Sequence, residues 1–448
     1  MLTRAELRKG WCPGALAPMP AKDGLLVRLR ISGGIVSADA LAALARAGRD
    51  LGNGLFDLSS RGNLQLRGVS PTRLPLLHAR LEDLGLLDAD AGTEAVRNVL
   101  VSPLCGLEAP IDVGAIGKAL EAELIRAYDL RGLPGKFGFL IDDGGPLSLA
   151  HTPADIRFDY DRRRGHFAIG VGGAAGEAIC LGACEPEALV DIALRLARAF
   201  RRLGGEMLEP PRRMRDLLRQ QGPKPLVAAA GLNLTPAPKG ELAAEPCPVG
   251  LIALGDDTFC FGVGAPFGRF TAPMLEAAAR AAALFAHGDI RLTPWRALIF
   301  PRVDARSEDA MRAAFAAQDF ILDKDDPRLA VAACGGADAC ERGSTPTHAD
   351  ALALAPLARR LRGTGVALHV SGCAKGCARQ SATPYALVAN GGRYDLAIDA
   401  ASLDPNRATY LAKGLSLTMA QDMLEGLLEE MLDPIAQKNA QQAERNSP

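Results

Sequence analysis

The chain has 448 residues, 48% of them apolar and 23% charged, with a formal net charge of -1 at neutral pH. That length exceeds one ordinary hydrophobic core and points to about two to four domains. The near-zero balance excludes a global field that recruits nucleic acid or an anionic membrane, so an anionic ligand must be met by locally gathered basic residues.

The N-terminus, "MLTRAELRKGWCPG", carries charges where a signal peptide needs an apolar core, and no run reaches the ~18 apolar residues of a membrane span. A cytoplasmic address is expected. From there the chain repeats itself at a shift of about 234 residues. "WCPGALAPM" (11–19) resembles "PCPVGLIAL" (246–254), and "GGIVSADALAALARAGRDLGNGLFDLSSRGNLQLRGV" (33–69) runs alongside "FGRFTAPMLEAAARAAALFAHGDIRLTPWRALIFPRV" (267–303). Each copy reads as strand, alanine-rich amphipathic helix, strand. Later, "HFAIGVGG" (166–173) echoes "PYALVANGG" (384–392), so two related halves are expected.

Within the first copy, "SSRGNLQLRG" (59–68) alternates. A strand built from it sets Arg61, Asn63, Gln65 and Arg67 on one face and Leu64 and Leu66 on the other. The matching positions of the second copy are Trp295, Ala297, Ile299 and Pro301. A merely solvated face gives no reason for that contrast, whereas one copy facing a polar ligand and the other packing a core does. Between the copies, "EPPRRMRDLLRQQGPKPLVAAAGLNLTPAPKGELAAEP" (209–246) has prolines clustered at both ends and reads as a connector with one short helix.

Six of the ten cysteines (Cys12, Cys105, Cys180, Cys184, Cys247 and Cys260) are scattered and read as small hydrophobes. The other four form "CGGADAC" (334–340) and "CAKGC" (373–377), with the helical "ADALALAPLARRLRGTG" (349–365) between them. Cys334, Cys340, Cys373 and Cys377 suit a [4Fe–4S] cluster or a structural zinc. The wide spacings, and Gly335, Gly336, Gly372 and Gly376, which let backbone approach bulky inorganic sulfur, favour the cluster. The last residues, "AQKNAQQAERNSP", lack apolar periodicity and read as a frayed polar tail. No Gly-x-Gly-x-x-Gly fingerprint opens a helix after a strand, so no bound nicotinamide domain is indicated.

These residues together resemble the sulfite and nitrite reductases that hold sirohaem beside a [4Fe–4S] cluster. The resemblance covers roughly residues 10–430 and rests on both cysteine pairs, on "SSRGNLQLRG" against a Thr-x-Arg-Gln-Asn-x-Gln pattern, on "VRNVLVSP" (96–103) against an Arg-Asn-Val motif, and on "LPGKFGF" (133–139) against Leu-Pro-Arg-Lys-Phe-Lys. It implies an α+β fold of two pseudo-symmetric halves, each a ferredoxin-like reductase half-domain followed by an α/β cluster or tetrapyrrole domain. The expected boundaries are 1–85 and 86–205, a linker at 206–244, then 245–310, the cluster domain at 311–432 and a tail at 433–448. By position, Arg61, Arg97 and Lys136 resemble basic residues facing the active-site anion and the tetrapyrrole carboxylates, and Cys377 resembles the cysteine between cluster and tetrapyrrole.

The departures point to one branch. Where the reductases place a second lysine this chain has Gly138, and where they carry a Gln-Asn pair in the second half it has "TPWR" (293–296). In these features the chain looks like the precorrin-3B synthase branch, for which a related ring, precorrin-3A, is substrate rather than cofactor. That resemblance implies an oxygen-dependent hydroxylation at C20 with closure of a γ-lactone in aerobic cobalamin biosynthesis. It also implies a mononuclear non-haem iron, for which His78, His151, His166, His287, His348 and His369 offer no compact motif. A ring crowded with carboxylates needs several cations over an apolar floor. The expected contacts are Arg61, Asn63, Gln65, Arg97 and Lys136 from the first half and Trp295, Arg296 and Lys375 from the second, with Trp295 stacking on the ring or packing in a core. Expected partners are precorrin-3A, dioxygen and an external ferredoxin or NAD(P)H-dependent reductase. The alternatives are a sirohaem-dependent sulfite or nitrite reductase and a zinc-stabilised tetrapyrrole-binding module.

Overall fold

The computed structural model describes residues 12–107, 110–236, 242, 244–255, 258–362, 365–379, 381–400, 403 and 408–445. Residues 1–11 of the first expected half-domain and 446–448 of the expected tail lie outside them. Contacts divide the chain into a larger unit, Trp11–Pro20 with Gly24–Leu322, and a smaller one built on Asp323–Pro448 with Ala21–Asp23.

In the larger unit the two copies of the repeat build two sheets of one plan. The first places Gly24–Leu29, Leu64–Val69, Leu55–Leu58 and Arg269–Thr271 side by side; the second places Thr258–Gly264, Ala297–Val303, Asp289–Leu292 and Ile35–Ser37 in the same way. The last strand of each sheet comes from the other half of the chain. Arg269–Thr271 pairs antiparallel with Leu55–Leu58, and Ile35–Ser37 with Asp289–Leu292. Directly after each exchanged strand, a hydroxyl caps the following alanine-rich helix: Ser37 accepts from the Ala40 amide ahead of Ala38–Leu51, and Thr271 from the Met274 amide ahead of Ala272–Phe285. The two helices pack on each other, and Leu44, Phe56 and Leu66 share one core with Leu275, Phe261 and Phe300. The half-domains are therefore interlocked.

A third sheet of the larger unit runs Val99–Val101, Phe139–Asp142 and Ala154–Asp161 in parallel, then turns antiparallel through His166–Gly173 and Ile179–Cys184. Helix Val113–Arg126 makes the first crossover that a parallel pair requires. The smaller unit repeats the plan: Val331–Ala333, Leu368–Ser371 and Tyr385–Asn390 are parallel, Arg393–Ile398 and Thr409–Leu415 antiparallel, and helix Thr347–Arg362 makes the crossover. The α+β fold of two pseudo-symmetric halves is thus the one observed.

Three expectations change. The counterpart of Tyr385–Asn390 in this plan is Ala154–Asp161, not His166–Gly173, because an apolar strand ending in Gly-Gly describes almost any hairpin strand. The connector holds two helices rather than one, Met214–Gln221 and Pro223–Ala230, parted at Gly222 (φ 73°). Gly222 caps the end of the first helix and the start of the second, and proline at the next position costs no hydrogen bond. Their Met214, Leu217 and Leu226 are buried in the core of the third sheet. Finally, one helix spans Leu417–Arg445 and takes in most of the expected frayed tail. Its Ala, Gln, Lys, Glu and Arg residues are strong helix formers whatever their polarity.

Candidate functional site

The three parallel strands of the third sheet begin side by side. Their N-terminal ends, through Asn98, Val99, Leu100, Gly138, Phe139, Leu140, Pro153 and Ala154, line a recess of about 510 Å³ counted with its open mouth. Arg30, Ile31, Arg61 and Asn63 from the first half-domain, Arg97 and Glu121, and Arg213 from the connector complete it. Apolar side chains of the three strands share the lining with four guanidiniums, those of Arg30, Arg61, Arg97 and Arg213.

The polar row of "SSRGNLQLRG" is split in two. A turn closed by Ser59 and Asn63, with Gly62 at φ 68°, precedes strand Leu64–Val69 and delivers Arg61 and Asn63 to the recess. Gln65 and Arg67 lie on the strand and are spent inside the protein. The Gln65 side-chain oxygen accepts from Arg28 Nε at 3.1 Å and Nη2 at 2.7 Å, and Arg67 pairs with Asp57 at 2.9 Å. Gln65 is therefore corrected to an internal partner of Arg28.

The cations of the rim are not equivalent. Arg97 grips Asp88 with Nε and Nη2 at 2.7 and 2.8 Å, and donates to the Ser32 hydroxyl and the Arg30 carbonyl. Burial pulls its pKa down, but the bonds and charge of Asp88 outweigh it and hold the group above its usual value. Arg30 bonds Asn98 at 2.9 Å and pairs with Glu94 at 3.3 Å. Arg213 holds both oxygens of Asp155, 3.0 and 3.1 Å away. Arg61 has one side-chain hydrogen bond, Nη2 to the Lys136 carbonyl at 3.2 Å, and no ion pair among the described residues. Burial, then repulsion from Arg213, pushes it down to about 10. It is a cation in want of an anion.

Lys136 contributes its backbone to this site, and its exposed side chain is not part of the lining. Trp295 is half-buried in apolar clusters with Leu140, Leu149 and Ala154 on one side and Cys260 and Ile299 on the other, so it backs the floor as a core residue. Arg296, at φ 63°, donates to the Phe267 carbonyl at 3.1 Å and does not line the recess. Lys375 belongs to the smaller unit, beside Cys373 and Cys377.

In that unit Cys334 directly follows strand Val331–Ala333 and Cys373 follows Leu368–Ser371, so the cysteine pairs emerge from the C-terminal ends of adjacent parallel strands. Cys334 and Cys373 are half-buried, Cys340 and Cys377 exposed. Desolvation raises the thiol of Cys373, and the charges of Cys334 and Cys340 add to it. Cys377 is pushed up to about 11 by desolvation, with Lys375 pulling the other way and Cys334, Cys373 and Cys340 reinforcing the rise. The four thiols therefore lie within electrostatic reach of one another. The Gly372 amide donates to Cys334 Sγ at 3.2 Å. A Cβ at Gly372 would stand 3.2 and 3.3 Å from the Cα atoms of Gly336 and Gly343, so these glycines let backbone pack on backbone behind the cysteines. Among the described residues, no three His, Cys, Asp or Glu side chains form a group that could hold a single metal ion, and the residues present do not fit the mononuclear iron.

Sequence reading missed Arg28, Arg30, Asn98, Glu121, Asp155 and Arg213 as parts of the site or its support. The run "PPRRMRD" carried the last signal, but its setting among prolines argued for a linker. Cys12 reads in the sequence as a small hydrophobe, yet its sulfur accepts from Arg28 Nη1 at 2.8 Å.

Comparison with known proteins places these features. The nitrite/sulfite reductase ferredoxin-like half domain matches twice, at residues 17–84 and 252–318. A precorrin-3B synthase from Sinorhizobium sp is 30% identical over 89% of this chain and 85% of its own. The ferredoxin–nitrite reductase of Synechococcus elongatus is 27% identical over 81% of this chain and 76% of its own, and a sulfite reductase [ferredoxin] of Mycolicibacterium paratuberculosis 26% identical over 79% and 68%. The NirA protein of Mycobacterium tuberculosis superposes with a TM-score of 0.72 at 22% identity, over 89% of this chain and 79% of its own, and shares the fold. The two half-domain matches and the 30% identity to the Sinorhizobium precorrin-3B synthase make this chain a member of the precorrin-3B synthase family, within the nitrite/sulfite reductase superfamily.

Proposed function

We propose that this protein is a cytoplasmic monooxygenase that hydroxylates precorrin-3A at C20 and sets up closure of the γ-lactone; the Sinorhizobium relative bears the name precorrin-3B synthase. The observation that carries the reading is Arg61. A guanidinium without an ion pair among the described residues, in a recess whose other arginines are already engaged, suits a carboxylated macrocycle better than solvent. Arg30, Arg97 and Arg213 are each neutralised by an acid of their own and held in fixed geometry, which leaves Arg61 as the charge the recess offers to a ligand.

Cys334, Cys340, Cys373 and Cys377 suit a [4Fe–4S] cluster, because the two pairs follow adjacent parallel strands and the Gly372 amide points at one of the sulfurs. Bound there, it would supply single electrons. The overall balance puts one oxygen atom of dioxygen on C20 and releases the other as water, consuming two electrons and two protons. The electrons come from an external ferredoxin or NAD(P)H-dependent reductase; several relatives carry ferredoxin in their names.

The test is an absorption spectrum of anaerobically purified protein, followed by turnover of precorrin-3A with and without dioxygen. A broad iron–sulfur band without sirohaem's Soret and α-bands, and oxygen-dependent product, are expected. Stoichiometric sirohaem would make the protein a reductase, and zinc without iron would leave a tetrapyrrole-binding module.

A further inference from the structure

Gly138 lies on the wall of the recess, yet its backbone needs no glycine. It is absent from the positive-φ glycines, and a Cβ built on it would meet only ordinary contacts: the Asn98 carbonyl at 3.5 Å, Asn98 Cβ at 3.9 Å and the Lys136 carbonyl at 3.9 Å. Many other glycines of this chain are held by positive φ or by close backbone approach; this one is not. What the missing side chain provides is room. That room has a fixed edge, because the Gly138 amide donates to Asp155 at 2.9 Å, and Asp155 is gripped in turn by Arg213 and by the Met214 amide at 2.8 Å. It also has a cation beside it, for the Lys136 carbonyl that stands 3.9 Å from the absent Cβ is the one that accepts from Arg61 at 3.2 Å.

We propose that the space in front of Gly138 is a subsite for one carboxylate-bearing arm of the tetrapyrrole, with Arg61 as its cation, and that Gly138 is a specificity-determining position. The inference rests on the tetrapyrrole reading above and deepens it. A side chain at 138 occupies the seat of the arm, and an acidic one supplies Arg61 with an internal carboxylate that competes for the same guanidinium.

The test uses the full chain and uroporphyrin III, an octacarboxylate porphyrin, as probe, with affinity read by quenching of its fluorescence and stability by thermal melting. Gly138→Glu is expected to lower affinity at least tenfold with an unchanged melting temperature, and Gly138→Ala less than threefold. In the Arg61→Ala background, Gly138→Glu should weaken binding much less than tenfold further, because both changes remove one contact. Wild-type affinity in a folded Gly138→Glu chain overturns the subsite alone. A wild-type protein that does not bind the porphyrin at all overturns the tetrapyrrole reading and the subsite with it. If Gly138→Glu fails to fold, Gly138→Gln, which fills the space without the charge, is measured in its place, and wild-type affinity there is equally fatal.

Discussion

Arg61 and Arg97 separate two tasks that the same residue type performs in one recess. Arg97 joins Asp88 and Glu121, whose side chains are about as buried as its own, and its removal strips both acids of their counter-charge. Arg97→Ala should cost about 3 kcal/mol of stability, the usual result of breaking a buried pair from one side. Arg61 gives up one hydrogen bond to a carbonyl and a repulsion from Arg213. Arg61→Ala should therefore leave stability within about 0.5 kcal/mol of wild type while weakening porphyrin binding roughly tenfold or more, the worth of one charge-assisted hydrogen bond. Denaturant melts and binding titrations on the pair of variants check this together. Equal stability losses would show that Arg61 is also a structural cation.

The strand exchange between the half-domains is held by a charge as well as by backbone pairing. Asp57, in Leu55–Leu58, accepts from Arg67 on the neighbouring strand and from Arg269 on the strand that arrives from the other half, at 2.8 and 3.1 Å for the latter. Because Arg67 is only 5% exposed, Asp57→Ala leaves a buried guanidinium without its carboxylate. A loss of about 3 kcal/mol is expected, with faster amide exchange concentrated in Phe270 and Phe56, which pair across the junction. The same place shows what a sequence can reveal. The repeat and its strand, helix, strand order were legible because periodicity and caps are local. The exchange was not, since nothing local in "RFT" (269–271) says which of two equivalent sheet edges it will join. Likewise the alternation of "SSRGNLQLRG" marked a polar row, but the turn at Gly62 decided that only Arg61 and Asn63 of that row line the recess. The pairings Arg28–Gln65, Asp57–Arg269 and Asp155–Arg213 were invisible for a different reason: a partner is defined by distance in space, and these lie 37, 212 and 58 residues apart.

At the scale of the whole chain, duplication explains how one fold came to carry two kinds of site. The loops that leave the first two parallel strands of the smaller unit carry Cys334, Cys340, Cys373 and Cys377. In the larger unit the equivalent strand ends hold a closed polar network instead: buried Asp142 accepts from the hydroxyls of Ser102 and Ser148, at 2.9 and 2.7 Å, and from the Leu149 amide. One copy is thus sealed at its C-terminal strand ends and open at its N-terminal ends, where the recess lies, while the other carries the four cysteines at its C-terminal ends. Each unit also has its own apolar core, with Ala386, Val388 and Ala397 in the smaller one and Phe139, Ile156 and Phe167 under the recess. A cluster bound by four cysteines contributes to the stability of the unit that folds around it. Cys377→Ser should consequently lose the iron–sulfur band and turnover together, and quicken amide exchange in Val331–Ala333 and Leu368–Ser371. Porphyrin affinity and exchange in Phe139–Asp142 should stay at wild-type values. Exchange mass spectrometry beside a binding titration reads both halves of that outcome. Simultaneous loosening of Phe139–Asp142 would mean that the cluster supports the recess as well as the unit that holds its ligands.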